Sequence, residues 1–341
     1  MTERTVNPTD GRRESERDNG KDVRTGIKLA FVFPGQGAQA TGMGRELADR
    51  SPAARAVFAA ADVALGIPLS ELCFNGPDEE LQRTEITQPA ILTVSEACRA
   101  ALLEQLPQLT PTCAAGLSLG EYAALTAAGA LAFADAVRLV RLRGRFMQEA
   151  VPEGKGAMAA ILGLTEEAVA DVCREAAAYG VVAPANLNGP GQVVISGSAQ
   201  AVAVAVELAR ARGAKRAVPL AVSAPFHCEL MRPAGERLAR ELERTEFRPA
   251  AIPVYANVDA APTSDPARIR ANLIEQVSSP VLWEACVRRM IADGATHFVE
   301  LGPGKTLSAL IKKIDKNVWV GNVEDGASLA ETVARLKECG A

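Results

Sequence analysis

Gly116-Leu117-Ser118-Leu119-Gly120 decides how this chain is read. The stretch follows a short run of small and apolar residues, Cys113-Ala114-Ala115. It precedes a helical pattern, Glu121-Tyr122-Ala123-Ala124-Leu125. A serine between two glycines at a strand-to-helix corner has the form of a nucleophile elbow. The glycines let the backbone turn tightly. The first N–H groups of the helix point back at the serine, where an oxyanion could be held. Alone the pentapeptide is only moderately specific, because glycine-serine turns are common; the flanking strand and helix give it weight.

Working outward, Leu29-Ala30-Phe31-Val32-Phe33 is a continuous apolar run before Pro34-Gly35-Gln36-Gly37, which predicts a buried strand ending in a loop. A helix-rich region follows to about residue 105, broken at Gly66-Ile67-Pro68 and Gly76-Pro77. After the elbow the pattern predicts a long helix from about Ala134 to Ala150. Strands alternating with helices imply a parallel sheet covered on both faces. The middle of the chain changes rhythm. Ala157–Leu162 reads as a strand, Thr165 as the N-cap of a helix, and Val181–Ala183 and Gln192–Ser196 as two short strands. Asn188-Gly189-Pro190-Gly191 falls in their connection; a helix over Ala199–Arg212 and a strand over Ala217–Leu220 follow. This β-α-β-β-α-β order is ferredoxin-like. The expected architecture is α/β: a large α/β-hydrolase-like domain with a parallel sheet, formed by 27–153 and 223–341, carrying an inserted small ferredoxin-like subdomain, 154–222. Strands near Val254-Tyr255 and His297–Glu300 return the chain to the large sheet. Ligands in open α/β sheets bind beyond the carboxyl ends of the strands, so the cleft is expected between the two parts.

Composition narrows the functional classes. The 341 residues suffice for one large domain with an insertion. A formal net charge of −4 argues against broad nucleic-acid binding, which needs a basic surface. No apolar run has the length of a membrane span. Seven cysteines without a CxxC pair, and two histidines, make a zinc site improbable and suggest reduced thiols in a cytoplasmic protein. Residues 1–26 are polar and charged, with Val6 and Val23 almost alone as apolar residues, which predicts a disordered tail.

A serine hydroxyl needs a base. His227 sits in Ser223-Ala224-Pro225-Phe226-His227, just after the insertion, where a base at a domain junction competes with an ordinary loop histidine. His297, beside a predicted strand, reads as structural. On the helix after the elbow, Arg138, Arg141 and Arg145 share one face, expected to be solvated. Arg143 falls on the other side with Ala136, Leu139, Val140 and Met147. A buried guanidinium needs an anionic partner: either a structural Asp or Glu, or a substrate carboxylate held by its fork. Two other glycine motifs are weak. Gly302-Pro303-Gly304-Lys305-Thr306 resembles the end of a phosphate loop, but Val299 stands where its first glycine belongs. Gly35-Gln36-Gly37-Ala38-Gln39-Ala40 fits a loose dinucleotide fingerprint without the acidic residue expected about 20 positions on. Cys228 adjoins His227 but is poorly placed to be activated by it. Lys312, Lys313 and Lys316 are either a basic patch or a solvated helix end.

Together these residues resemble the malonyl-CoA:acyl carrier protein transacylase family. The shared segments run in order: Phe31–Gln39, the elbow with Glu121-Tyr122, Leu142-Arg143-Gly144, Asn188–Val194, Pro225-Phe226-His227 and Phe298–Lys305. The resemblance implies that Ser118 carries the acyl ester and that His227 is the general base and later the acid. It implies Arg143 as the clamp for the malonyl carboxylate, and the N–H groups of Gln36 and Leu119 as the oxyanion hole. Gln276 would orient the histidine through its main-chain carbonyl, and Asn188 would line the cleft. The implied reaction is ping-pong, from malonyl-CoA to Ser118 and on to the phosphopantetheine thiol of an acyl carrier protein or carrier domain, with no cofactor or metal and the enzyme a monomer. The family usually has histidine before the nucleophile; Leu117 stands there instead, as in the discrete trans-acting acyltransferases of polyketide synthases. Phe226 resembles the malonyl-selective pattern. Alternatives are a methylmalonyl- or ethylmalonyl-selective transferase, an acyl-carrier-protein acyl hydrolase of the same fold, a nucleotide-dependent oxidoreductase using the Gly35 loop, and an inactive carrier-docking module.

Overall fold

The first strand, β1 (Leu29–Phe33), is buried at every position because it lies in the middle of a sheet covered on both faces. A computed structural model of the chain describes residues 1–2, 27–222 and 224–340. The tail expected over 1–26 therefore lies, beyond its first two residues, outside the described residues. The remaining strands are β2 (Cys113–Gly116), β3 (Gly156–Leu162), β4 (Val182–Gly189), β5 (Gln192–Ser198), β6 (Arg216–Pro219), β7 (Val254–Tyr255), β8 (Pro262–Thr263), β9 (His297–Leu301) and β10 (Trp319–Val323).

They form two sheets. The larger has the order β10-β9-β1-β2-β7-β8 and is parallel except for its edge strand β8, which pairs antiparallel with β7. Neither β8 nor β10 is legible as a strand in the sequence: β8 has two residues and β10 is only half-buried along most of its length. Period-two alternation along β1 feeds two cores. Leu29, Phe31 and Phe33 enter the main core with Leu47, Leu92, Leu102 and Tyr122. Ala30 and Val32 face Trp283, Phe298, Leu307 and Ile311 on the opposite side. Each large apolar side chain buried this way contributes about 1.5–3 kcal/mol, so β1 is anchored from both faces.

The smaller sheet, β4-β5-β3-β6, is wholly antiparallel and carries the helices Glu166–Ala176 and Ala199–Ala211 on one face. Thr165 caps the first of these by accepting from the Ala168 N–H at 3.2 Å, as its sequence predicts. Ala159, Ile161, Val193 and Ile195 pack under these helices as a separate core. Met158, Ala185 and Val194 join the main core of the molecule. Main-chain bonds from Leu187 N–H to Val281 O (2.9 Å) and from Val281 N–H to Ala185 O (2.8 Å) tie β4 to the large part. One sequence boundary needs correction: Asn188 and Gly189 are not in the connection but complete β4, and the turn itself is Pro190-Gly191. The strand runs longer because Leu187 and Gly189 still pair with Val193 and Gln192, across a register shift that leaves Asn188 as the extra residue.

Candidate active site

Gln36, Ser118 and Asn257 stand just past the carboxyl ends of β1, β2 and β7, three strands of the large sheet. At the elbow the sequence expectation is right about the turn and wrong about which residue makes it. The left-handed backbone belongs to Ser118 itself, with φ 54°. The glycines serve close approach: a Cβ on Gly116 would lie 1.9 Å from the Gly120 carbonyl carbon, and one on Gly120 would lie 2.2 Å from Phe33 O. The strained serine is over-determined by its surroundings. Asn257 Oδ1 accepts the Ser118 N–H at 2.7 Å, and Asn257 Nδ2 donates to Gly116 O at 2.8 Å.

His227 also has positive φ, 60°. Its Nε2 lies 2.7 Å from Ser118 Oγ, and its Nδ1 lies 2.8 Å from the main-chain oxygen of Gln276. That carbonyl can only accept, so the proton resides on Nδ1 and the Nε2 lone pair faces the serine. Gln276 is the last residue of the helix Pro266–Gln276, where a carbonyl has no partner within its own helix. Burial, and then the charge of Arg143, pull the His227 imidazole down to about 3, so it is neutral near neutral pH.

Arg143 projects from the helix Phe133–Glu149 and is 1% exposed. Gly144 lets that helix approach the start of the Thr84–Gln105 helix; a Cβ there would lie 2.5 Å from Thr84 O. The Arg143 fork donates to Gln88 Oε1 (2.8 Å), Ser118 Oγ (3.0 Å) and Gln276 Oε1 (2.9 Å). All three acceptors are neutral. Among the described residues no Asp or Glu pairs with Arg143, and its Nε is buried without a hydrogen-bond partner. Of the two partners open from sequence, the structural carboxylate is absent from these contacts. Arg138 and Arg145 are exposed, and Arg141 is half-buried; Arg138 and Arg141 donate to Ala64 O and Leu65 O, the last carbonyls of the Pro52–Leu65 helix.

The N–H groups of Gln36 and Leu119 have no hydrogen-bond acceptor among the described residues. The Gln36 side chain reaches Thr84 Oγ1 at 3.5 Å. Phe226 is buried in the main core beside His227. Asn188 is half-buried, with Oδ1 lacking a hydrogen-bond partner; no hydrogen bond joins it to Ser118, Arg143 or His227. The Cys228 thiol donates to Pro225 O, and burial pushes its pKa up, which disfavours the thiolate. His297 lies on β9 with its ring centroid 5.4 Å from that of Trp319. Among the described residues no group of three or more His, Cys, Asp or Glu is arranged to hold a metal ion.

Gln88, Glu121 and Asn257 were missed as partners of the site. Glu121 is visible in sequence as a carboxylate within an apolar helical pattern, a signal for a satisfied buried acid. Gln88 and Asn257 carry no such signal.

A serine hydroxyl 2.7 Å from a neutral imidazole has the arrangement of a nucleophile and its base. The acyl transferase domain model matches residues 30–338. The chain belongs to the acyl transferase family. It is 50% identical over 314 residues to the malonyl CoA-acyl carrier protein transacylase of Bacillus subtilis, covering 91% of this chain and 98% of that one. An acyl carrier protein S-malonyltransferase from Vibrio cholerae superposes with a TM-score of 0.87 at 48% identity, over 89% of this chain and 99% of the other. A malonyl-transacylase crystallised with a type II polyketide synthase acyl-carrier protein gives 0.88 at 44% identity, over 90% and 99%. The acyl transferase family of these relatives shares the observed architecture, a parallel-rich sheet with a small antiparallel one.

Proposed function

We propose that this acyltransferase moves a malonyl group from coenzyme A, through an ester on Ser118, to the phosphopantetheine thiol of an acyl carrier protein. The observation that carries the reading is the place of Arg143: a buried guanidinium with only neutral acceptors, 3.0 Å from the nucleophilic oxygen. A carboxylate two carbons from the ester carbonyl of an acylated Ser118 can reach that fork. Relatives named malonyl CoA-acyl carrier protein transacylase at 47–50% identity support the same substrate.

In the first half-reaction His227 Nε2 takes the Ser118 proton as Oγ attacks the thioester carbonyl. The developing oxyanion is held by the N–H groups of Gln36 and Leu119. Collapse breaks the C–S bond, and the imidazolium returns its proton to the leaving thiolate. In the second half the carrier thiol gives its proton to Nε2 and attacks the ester, and Ser118 leaves as the hydroxyl. The Gln276 carbonyl stabilises the transient imidazolium in place of a triad carboxylate.

The unit 154–222, with its own sheet and core, closes the site over the base formed by 27–153 and 223–341. Asn188 then lines the cleft from that unit. Phe226, fixed by core packing, leaves little room for an α-branch. Leu117, which packs against Gly35 and stands where the family usually has histidine, supports service to a polyketide carrier over a fatty-acid one.

The test is direct. Malonyl-CoA should leave a covalent malonyl ester on the wild-type chain, seen by intact mass, and none on Ser118→Ala. Arg143→Ala should lose malonyl transfer and gain relative activity on unbranched acyl chains; intact malonyl transfer would overturn the clamp. Turnover with malonyl-, methylmalonyl- and ethylmalonyl-CoA reads the Phe226 assignment, and a preference for a branched unit would reverse it. Transfer rates to a fatty-acid and a polyketide carrier read the Leu117 assignment, and a preference for the fatty-acid carrier would reverse that.

A further inference from the structure

Glu121 has no part in the steps above, yet it is 3% exposed and lies at the centre of the polar network under the site. Its Oε2 accepts from Gln276 Nε2 at 2.8 Å and from the Asn257 N–H at 3.0 Å. Gln276 is the pivot of that network. Its carboxamide oxygen accepts from Arg143, and its carboxamide nitrogen faces three acceptors: Glu121 Oε2, Ser118 O (3.0 Å) and Asn257 Oδ1 (3.3 Å).

A carboxamide has two faces, and turning it over exchanges donor for acceptor. Turned over, the Gln276 amide would present N–H to the Arg143 guanidinium, donor against donor. Of the three acceptors that prevent this, Glu121 is the one carboxylate; burial pushes it up to about 7, so above that pH it is ionised, and hydrogen bonds to a charged group are about twice as strong as neutral ones. Through Asn257 the same carboxylate steadies the residue that brackets the elbow at Gly116 O and the Ser118 N–H.

We propose that Glu121 is a positioning residue for the substrate carboxylate, holding the Gln276 amide in the orientation that keeps the Arg143 fork aimed beside Ser118. It touches neither substrate nor reacting atoms. The inference rests on the malonyl reading of the site. It adds that malonyl preference is set two residues away from the carboxylate being recognised.

Ser118 acylation by malonyl-CoA and by acetyl-CoA, which lacks the carboxylate, separates positioning from simple support of the fold. Glu121→Gln keeps the volume and removes the charge. Assayed above pH 7, where Glu121 is ionised, the change should lower kcat/KM for both thioesters but lower the malonyl-to-acetyl ratio by roughly fivefold to tenfold, the difference between a charged and a neutral hydrogen bond. In an Arg143→Ala background the same change should leave the ratio where Arg143→Ala put it. Gln276→Met, which removes the amide itself, should depress the ratio as far as Glu121→Gln does, and it keeps the question answerable if Glu121→Gln does not fold. A proportional fall with both thioesters, a second drop of the ratio in the Arg143→Ala background, or a wild-type ratio in Gln276→Met would each overturn the proposal. Absence of malonyl transfer by the wild-type enzyme would instead remove the malonyl reading on which it stands.

Discussion

Two glycine-rich corners flank β1 in the large sheet. One follows β2 at Gly116–Gly120; the other follows β9 at Gly302–Thr306. Both lead from a parallel strand into a helix, so both aim main-chain N–H groups at the edge where ligands bind. They differ in who occupies those groups. At the first corner the Leu119 N–H is open beside Ser118 Oγ. At the second, the Glu300 carboxylate accepts from Leu307 N–H at 3.0 Å and Ser308 N–H at 2.7 Å, and Glu324 accepts from Gly304 N–H at 2.9 Å. The phosphate-like motif of the second corner thus has three of its N–H groups taken by the protein's own acids. At the corner that holds the candidate nucleophile, the described residues leave the Leu119 N–H open.

The contrast can be broken in several ways. The largest effect is expected at Ser118. Ser118→Ala should cost on the order of 10⁶ in kcat for malonyl transfer, whereas Lys305→Ala, an exposed change at the second corner, should leave the rate within about twofold; steady-state kinetics on the two variants checks this. Next come the glycines. Gly116→Ala forces a methyl to 1.9 Å from backbone and should abolish soluble folded protein, while Gly304→Ala meets nothing within 4 Å and carries only the strain of φ 76°, about 1 kcal/mol. Thermal melts of the two should differ accordingly.

A smaller effect is expected when the second corner is emptied. Glu300→Ala leaves two N–H groups without their acceptor, at about 1–3 kcal/mol each. The melting temperature should fall by several degrees while the acylation rate of folded enzyme stays near wild type. A rate loss of the Ser118 kind would show that the corners are not independent.

A further difference is in pH, where His227 beside the first corner and Glu300 at the second carry opposite signatures. The His227 imidazole sits at about 3 when folded and at 6.5 when free. Between those values the unfolded chain binds a proton that the native state refuses, so this residue lowers stability as pH falls from 6.5. Burial pushes Glu300 up to about 7 from 4.5. Between those values the native state keeps a proton that the unfolded chain has lost, so this residue lowers stability as pH rises from 4.5. Melting curves against pH should lose the first slope in His227→Gln and should show a shallower second slope in Glu300→Gln, the remainder coming from Glu121, which burial also pushes up to about 7. Unchanged slopes would contradict the assigned environments.

Much of the site was legible in the chain. Ser118, Arg143 and His227 declare themselves because each breaks a local pattern: a serine at a strand-to-helix corner, a cation on an apolar helix face, a histidine at a junction. Thr165 and the β-α-β-β-α-β order were legible because caps and periodicity are local. The two-residue β8 and the half-buried β10 were not, because sheet neighbours stabilise them more than their own residues do. Gln88 and Asn257 carry no signal in the chain because an amide is ordinary at any position; its meaning lies in its partners.

The sequence by itself singled out a candidate nucleophile, a candidate base and a cation on an apolar helix face. The tertiary structure decided how they are tuned. Only folding brings Gln276, 49 positions from His227 and 133 from Arg143, to where its carbonyl fixes the tautomer of one and its amide holds the fork of the other. Only burial makes the histidine neutral, and among the described residues only packing leaves the arginine with no carboxylate hydrogen-bonded to it. Desolvation and hydrogen-bond partners across such separations are properties of packing, and no local pattern in the chain encodes them.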